Sequence, residues 1–149
     1  MGRAWGTNLM IPNPVLLTAG SDVSVPAGGK TTVLDSGASP LIKTQAGGGF
    51  YLLAHLTLEI LLGATAPSAL VISLDLVTAG ANQDTYTVTP GILANNATIL
   101  AACTLYVPNS STIWFPAGDE IQITANPTGQ AVTVKASGSR CVLALQQGL

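Results

Sequence analysis

The chain has 149 residues, enough for one domain with its own core. Only 8% of its residues are charged, against about 25% in typical soluble domains. Net charge is −2, and the five basic residues are scattered singly. That pattern excludes the clustered basic surface that nucleic acids or anionic membranes require.

Residues 1–13, MGRAWGTNLMIPN, show no period, yet Trp5, Leu9, Met10 and Ile11 are apolar. They are expected to form an extended arm packed on its own domain or on a neighbour, unless the segment is a disordered terminus. Residues 14–149 form the domain. Val15–Thr18 reads as a strand, and Asp22–Val25 alternates. Ser24–Thr31, SVPAGGKT, ends like a phosphate loop. It lacks the leading glycine, and β-branched residues rather than a helix follow it, so it reads as a turn. Lys30–Leu34 is the next strand, Asp35–Pro40 a loop, and Leu41–Thr44 a further pairing candidate.

The longest patterned stretch is Gly47–Gly63, GGGFYLLAHLTLEILLG. Leu52, Ala54, Leu56, Leu58, Ile60 and Leu62 fall at every second position, which places them on one face of a strand. The other face is semi-polar: Tyr51, Leu53, His55, Thr57, Glu59 and Leu61. Ala69–Thr78 is another strong strand, with Leu70, Ile72, Leu74 and Leu76 on one face. Asp84–Thr89, Ala97–Val107, Thr112–Phe115, Glu120–Ala125, Ala131–Ala136 and Arg140–Gln146 complete the series, and Asn126–Gly129 reads as a turn. No amphipathic helix or repeat is evident. Some eight to ten strands at this spacing predict an all-β chain, a single antiparallel β-sandwich or jelly roll.

Residue chemistry argues against an enzyme. His55 is the only histidine and lies inside a strand pattern, away from any nucleophile elbow. Asp119 and Glu120 are adjacent and would point to opposite faces. Cys103 and Cys141 have no close-spaced metal pattern. They read as two buried free thiols, or as a disulfide if their strands lie at bonding distance. No cofactor or metal is expected. The run Leu52–Leu62 holds His55 and Glu59, whereas a spanning helix needs about 20 apolar residues. Asn8, Pro12, Asn13 and Pro14 interrupt any signal-peptide core. The charge deficit predicts an outside covered by protein, in a homo-oligomer or larger assembly. A monomer faced with Thr, Ser, Asn and Gln is the alternative.

Gly49-Phe50-Tyr51 leading into Ala54-His55-Leu56-Thr57 resembles the central strand of the tumour-necrosis-factor and complement globular-head superfamily. Thr112-Ile113-Trp114-Phe115, followed by Ala117-Gly118-Asp119-Glu120-Ile121, resembles that family's strand, Gly-Asp turn and strand. Ser139-Arg140-Cys141-Val142-Leu143-Ala144-Leu145 resembles its closing strand. The resemblance implies a compact homotrimer of jelly rolls, with the central and closing strands packed around a threefold axis. Tyr51, Leu53, His55, Thr57, Glu59 and Leu61 would then be buried against neighbouring subunits.

Such trimers serve as bacteriophage capsid decoration (cement) proteins, as spore-surface heads and as fibre knobs. The last two normally hang on a stalk, and no Gly-X-Y repeat or heptad is seen here. The expectation is therefore a non-enzymatic virion protein on the capsid surface. Its partners would be itself and the major capsid protein, with Trp5, Leu9, Met10 and Ile11 as anchoring arm. The rival is a trimeric receptor- or carbohydrate-binding head, for which Asn95, Asn96, Asn109 and Trp114 are candidates.

Overall fold

The computed structural model describes residues 15–36, 50–78, 81–107 and 120–147. Nine strands run through them: β1 Val15–Thr18, β2 Val23–Val25, β3 Thr31–Asp35, β4 Phe50–Leu62, β5 Ala69–Thr78, β6 Ala81–Val88, β7 Thr98–Val107, β8 Glu120–Thr128 and β9 Val132–Gln147. No helix occurs among the described residues. The arm residues Trp5, Leu9, Met10 and Ile11, the Leu41–Thr44 and Thr112–Phe115 candidates, Asn109, Trp114 and Asp119 lie outside the described residues.

Two antiparallel sheets form a β-sandwich. One has the order β1-β9-β4-β7, with β2 also on β9; the other is β3-β8-β5-β6. The period-two leucines face inward as their spacing dictates. Ala54, Leu56, Leu58, Ile60 and Leu62 of β4 meet Leu70, Ile72 and Leu74 of β5 and Ile121 and Ile123 of β8 in one core. Leu58, Ile60, Leu74, Ile121 and Ile123 are wholly buried. At about 25 cal/mol per Å² of apolar area, these central layers supply most of the drive to fold.

Three boundaries differ from the sequence expectation. β8 runs on through Asn126 and Pro127 rather than turning there. β3 pairs only with residues up to Ala125, so the missing proline N–H interrupts no ladder on that side. Pro127 pairs with Leu70 across β5, and its carbonyl accepts the Gly28 N–H at 2.8 Å. The turn then falls at Gly129, whose φ of +87° is the left-handed region that glycine adopts freely. β6 begins earlier, at Ala81, because a register shift between Leu76 and Val77 of β5 absorbs its irregular start.

The third difference concerns the last strand. Ala131–Ala136 and Arg140–Gln146 are parts of one strand, β9, joined through a bulge. Thr57 pairs with Arg140 and Glu59 with Lys135, so Leu58 alone stands opposite residues 136–139. Ser139 is buried there, and its Oγ accepts the Glu59 N–H at 3.1 Å.

The segment that resembled a phosphate loop is the turn between β2 and β3. Lys30 has a structural partner: its Nζ lies 2.7 Å from Oδ2 of the buried Asp75. Thr85 Oγ1 donates to the other oxygen of that carboxylate at 2.8 Å. The cysteines are both free. Cys103 and Cys141 flank Leu56 from opposite sides, so β4 lies between their strands. That is two strand spacings, about 9.5 Å, beyond the reach of a disulfide.

Candidate interaction face

The inward phase of β4 fixes its outward phase. His55, Thr57, Glu59 and Leu61 lie along the middle of the outer face of the five-stranded sheet; the side chains of Tyr51 and Leu53 are outside the described set. Register assembles the rest of this face. His55 lies between Thr104 of β7 and Val142 of β9, and Val142 pairs in turn with Leu16 of β1. Glu59 lies opposite Leu100 of β7, and Leu61 opposite Thr98 and Thr133.

Sequence reasoning named Leu61 on this face but missed the leucines that neighbouring strands add to it. Leu16 is 59% exposed, Leu100 66% and Leu61 41%. These are three of the four exposed large hydrophobics among the described residues. Their common face emerges only from pairing strands distant in sequence. One signal was available: Leu100 is an out-of-phase leucine in β7, as Leu53 and Leu61 are in β4.

One pair of charges bordering the face is tied up locally. The Lys135 ammonium is paired with the Asp22 carboxylate, whose Oδ1 also accepts the Ala136 N–H at 2.9 Å. The hydrogen bond from Lys135 and that from the Ala136 backbone hold the Asp22 carboxyl below its ordinary range. The Asp22 hydrogen bond, together with its charge, raises Lys135. His55 Nδ1 lies 3.1 Å from Thr104 Oγ1. A surface dominated by leucine, valine and threonine, with Glu59 and Arg140 as its further charges, suits contact with protein.

An apolar cleft adjoins this face at the β7 edge. It holds about 490 Å³. Leu56, Ile72, Val88, Ile92, Ile99 and Cys103 are among the residues that line it. Leu100 belongs to both cleft and face. Burial pushes the Cys103 thiol above its ordinary range.

Two of the residues considered for ligand binding, Asn95 and Asn96, serve turns. Asn95 Oδ1 accepts the Ala66 N–H at 2.8 Å, and Asn96 takes a positive φ of 57°. Glu120 stands beside Asp35 and Gln122; burial first, then the Asp35 charge, raises its carboxyl. Among the described residues no three His, Cys, Asp or Glu gather in a metal-holding group. No helix there is long and apolar enough to cross a membrane.

No family model matches the sequence, and no curated protein matches it. Among solved structures, a chain in the structure of infectious bursal disease virus, Gt strain, is similar in fold: 13% identity, 93% of this chain covered and a TM-score of 0.51. The match spans 38% of that viral chain. Two looser likenesses are Eiger TNF from S. frugiperda and dimeric latent PorU from Porphyromonas gingivalis. The first has 12% identity, 88% of this chain and 90% of that one covered, and a TM-score of 0.45. The second has 15% identity, 91% and 13% covered, and a TM-score of 0.48.

Proposed function

We propose that the chain is a non-enzymatic virion structural protein, a trimeric jelly roll that binds a phage shell and stabilises it as a decoration protein. The observation that carries the self-association is the clustering of Leu16, Leu61 and Leu100 on the outer face of one sheet. Single exposed leucines are ordinary; three on one sheet face mark a contact surface. Leu16 lies at the β1 edge and Leu100 at the β7 edge. Joining one edge of a copy to the other edge of the next gives a head-to-tail contact, which makes a ring where the rotation between copies closes after three. The jelly-roll reading draws support from strand order. After β4 the chain crosses to the second sheet for β5 and β6, returns for β7, crosses for β8 and returns for β9. Fold similarity to a chain from a virus structure favours a virion role.

Stabilisation of a shell would be passive. Each contact removes apolar area from water, and three linked subunits bind with an avidity that one lacks. Light scattering on the full chain tests the first half of the reading. The expected mass is three times 15.0 kDa, falling toward one in Leu100→Asp. A monomeric native chain overturns the trimer. Co-sedimentation with purified phage shells stripped of accessory protein tests the second half. Saturable, stoichiometric binding supports decoration, and a trimer that stays in the supernatant overturns it.

A further inference from the structure

The apolar cleft at the β7 edge has two properties that together specify an occupant. First, none of its lining residues is charged. A charged side chain buried there would cost far more than an apolar one contributes. Second, β7 ends its sheet and among the described residues pairs only with β4. Its sequence, TILAACTLYV, carries no charge, proline or glycine. Those are the devices that normally guard an edge strand. An uncharged extended segment would satisfy both properties, its backbone pairing with β7 and its apolar side chains filling the cleft.

We propose that this cleft receives the segment Leu9-Met10-Ile11 from a second copy of the chain, which adds as a short strand along β7. The proposal rests on the reading that copies associate. Chemistry selects this segment. Residues 4–21 contain no charge, and Leu9-Met10-Ile11 is the apolar run preceding Pro12 and Pro14. The prolines lack donors, so strand pairing stops before them.

Reach assigns the segment to another copy. Val15 pairs with Leu143, Leu143 with Ala54 and Ala54 with Leu105, which places the start of β1 three strands from β7. Three spacings are about 14 Å. Ala101, midway along the β7 wall of the cleft, lies four residues beyond Leu105, about 13 Å further at right angles. The direct line is therefore about 20 Å and passes through the sheet. Ile11 is four residues from Val15 and extends at most about 14 Å, and Leu9, six residues away, at most about 21 Å. A route that goes around the sheet instead of through it exceeds both lengths, so the segment is assigned to the cleft of another copy.

Cys103 makes the test direct. In full-length Met10→Cys, oxidised with copper-phenanthroline, the introduced thiol should link to Cys103 of another copy. Cys141, wholly buried, should not take part. The expected result is a ladder of linked oligomers on a non-reducing gel, abolished in Met10→Cys/Cys103→Ser. A link within one chain overturns the exchange. No link in a protein of trimeric mass overturns this inference and leaves self-association standing; a monomeric mass sinks both. A second readout needs no new thiol. Iodoacetamide should label Cys103 at least tenfold faster in Met10→Asp than in the native chain, and equal rates overturn the proposal.

Discussion

Gly138 lies under the side chain of Glu59. A Cβ at residue 138 would stand 2.6 Å from the Glu59 Cβ and 2.7 Å from its Cδ. The bulge in β9 thus lets one strand cross beneath the flank of another, and it requires a residue with no side chain there. Gly138→Ala should destabilise by about 1–3 kcal/mol, the usual cost of overpacking. Urea unfolding measures it. Adding Glu59→Ala should restore only part of the loss, because the Glu59 Cβ is itself one of the atoms in the way.

The two lysine–aspartate pairs should differ in weight. The Asp75 side chain is 5% exposed and that of Asp22 43%. Lys30→Ala leaves a buried carboxylate without its counter-charge, a loss of about 1–3 kcal/mol. Lys135→Ala exposes Asp22 to water and salt, so its loss should be smaller. Guanidinium unfolding of both variants checks the order, and equal losses would contradict the burial argument.

Two carboxylates should give pH dependences of opposite sign. Asp22 is held below its ordinary range, so it contributes stability above its unfolded pKa that is lost as pH falls through the folded value. Asp22→Asn should flatten that acid limb of a melting-temperature profile. Glu120 is raised, so its contribution is full below the ordinary glutamate range and is lost as pH rises through the folded value. Glu120→Gln should therefore gain on the native chain at neutral pH, with the difference vanishing in acid.

Thiol chemistry should separate the cysteines. Burial, aided by the Cys103 charge, pushes the Cys141 thiol up to about 12. At pH 8 a disulfide reagent should leave Cys141 untouched in the folded chain, and two thiols per chain should react in guanidinium. Rapid reaction of Cys141 in the native state would show that β9 opens readily.

Period two was enough to find β4 and β5, because their leucines alternate without a break from Leu52 to Leu62 and from Leu70 to Leu76. It failed where backbone geometry rather than side-chain pattern decides. The 136–139 bulge looks like a turn, since Ser137, Gly138 and Ser139 are turn residues. Only the contact with Glu59 explains them. Pro127 looks like a breaker because the sequence does not say which side of β8 lacks a partner. The semi-polar face of β4 was legible as His55, Thr57, Glu59 and Leu61. Leu16, some forty residues earlier, and Leu100, some forty later, join it only through register. Long-range pairing leaves no local mark, so Leu61 could be read on the face but its meeting with Leu16 and Leu100 could not.

That same register governs the order in which the fold can be completed. β9 accepts β2 along its first residues, β1 along its last, and β4 along nearly its whole length. Until the ribosome has delivered β9, Val15 has no Leu143 to meet, and β4 has β7 alone. Closing such distant contacts is slow, because loop-closure entropy is spent before the pairing rewards it. Folding of this sheet therefore waits for the last strand, and a nascent chain lacking β9 carries the leucines of β4 uncovered on one flank. During synthesis that uncovered flank is the kind of apolar surface that aggregates unless it is shielded.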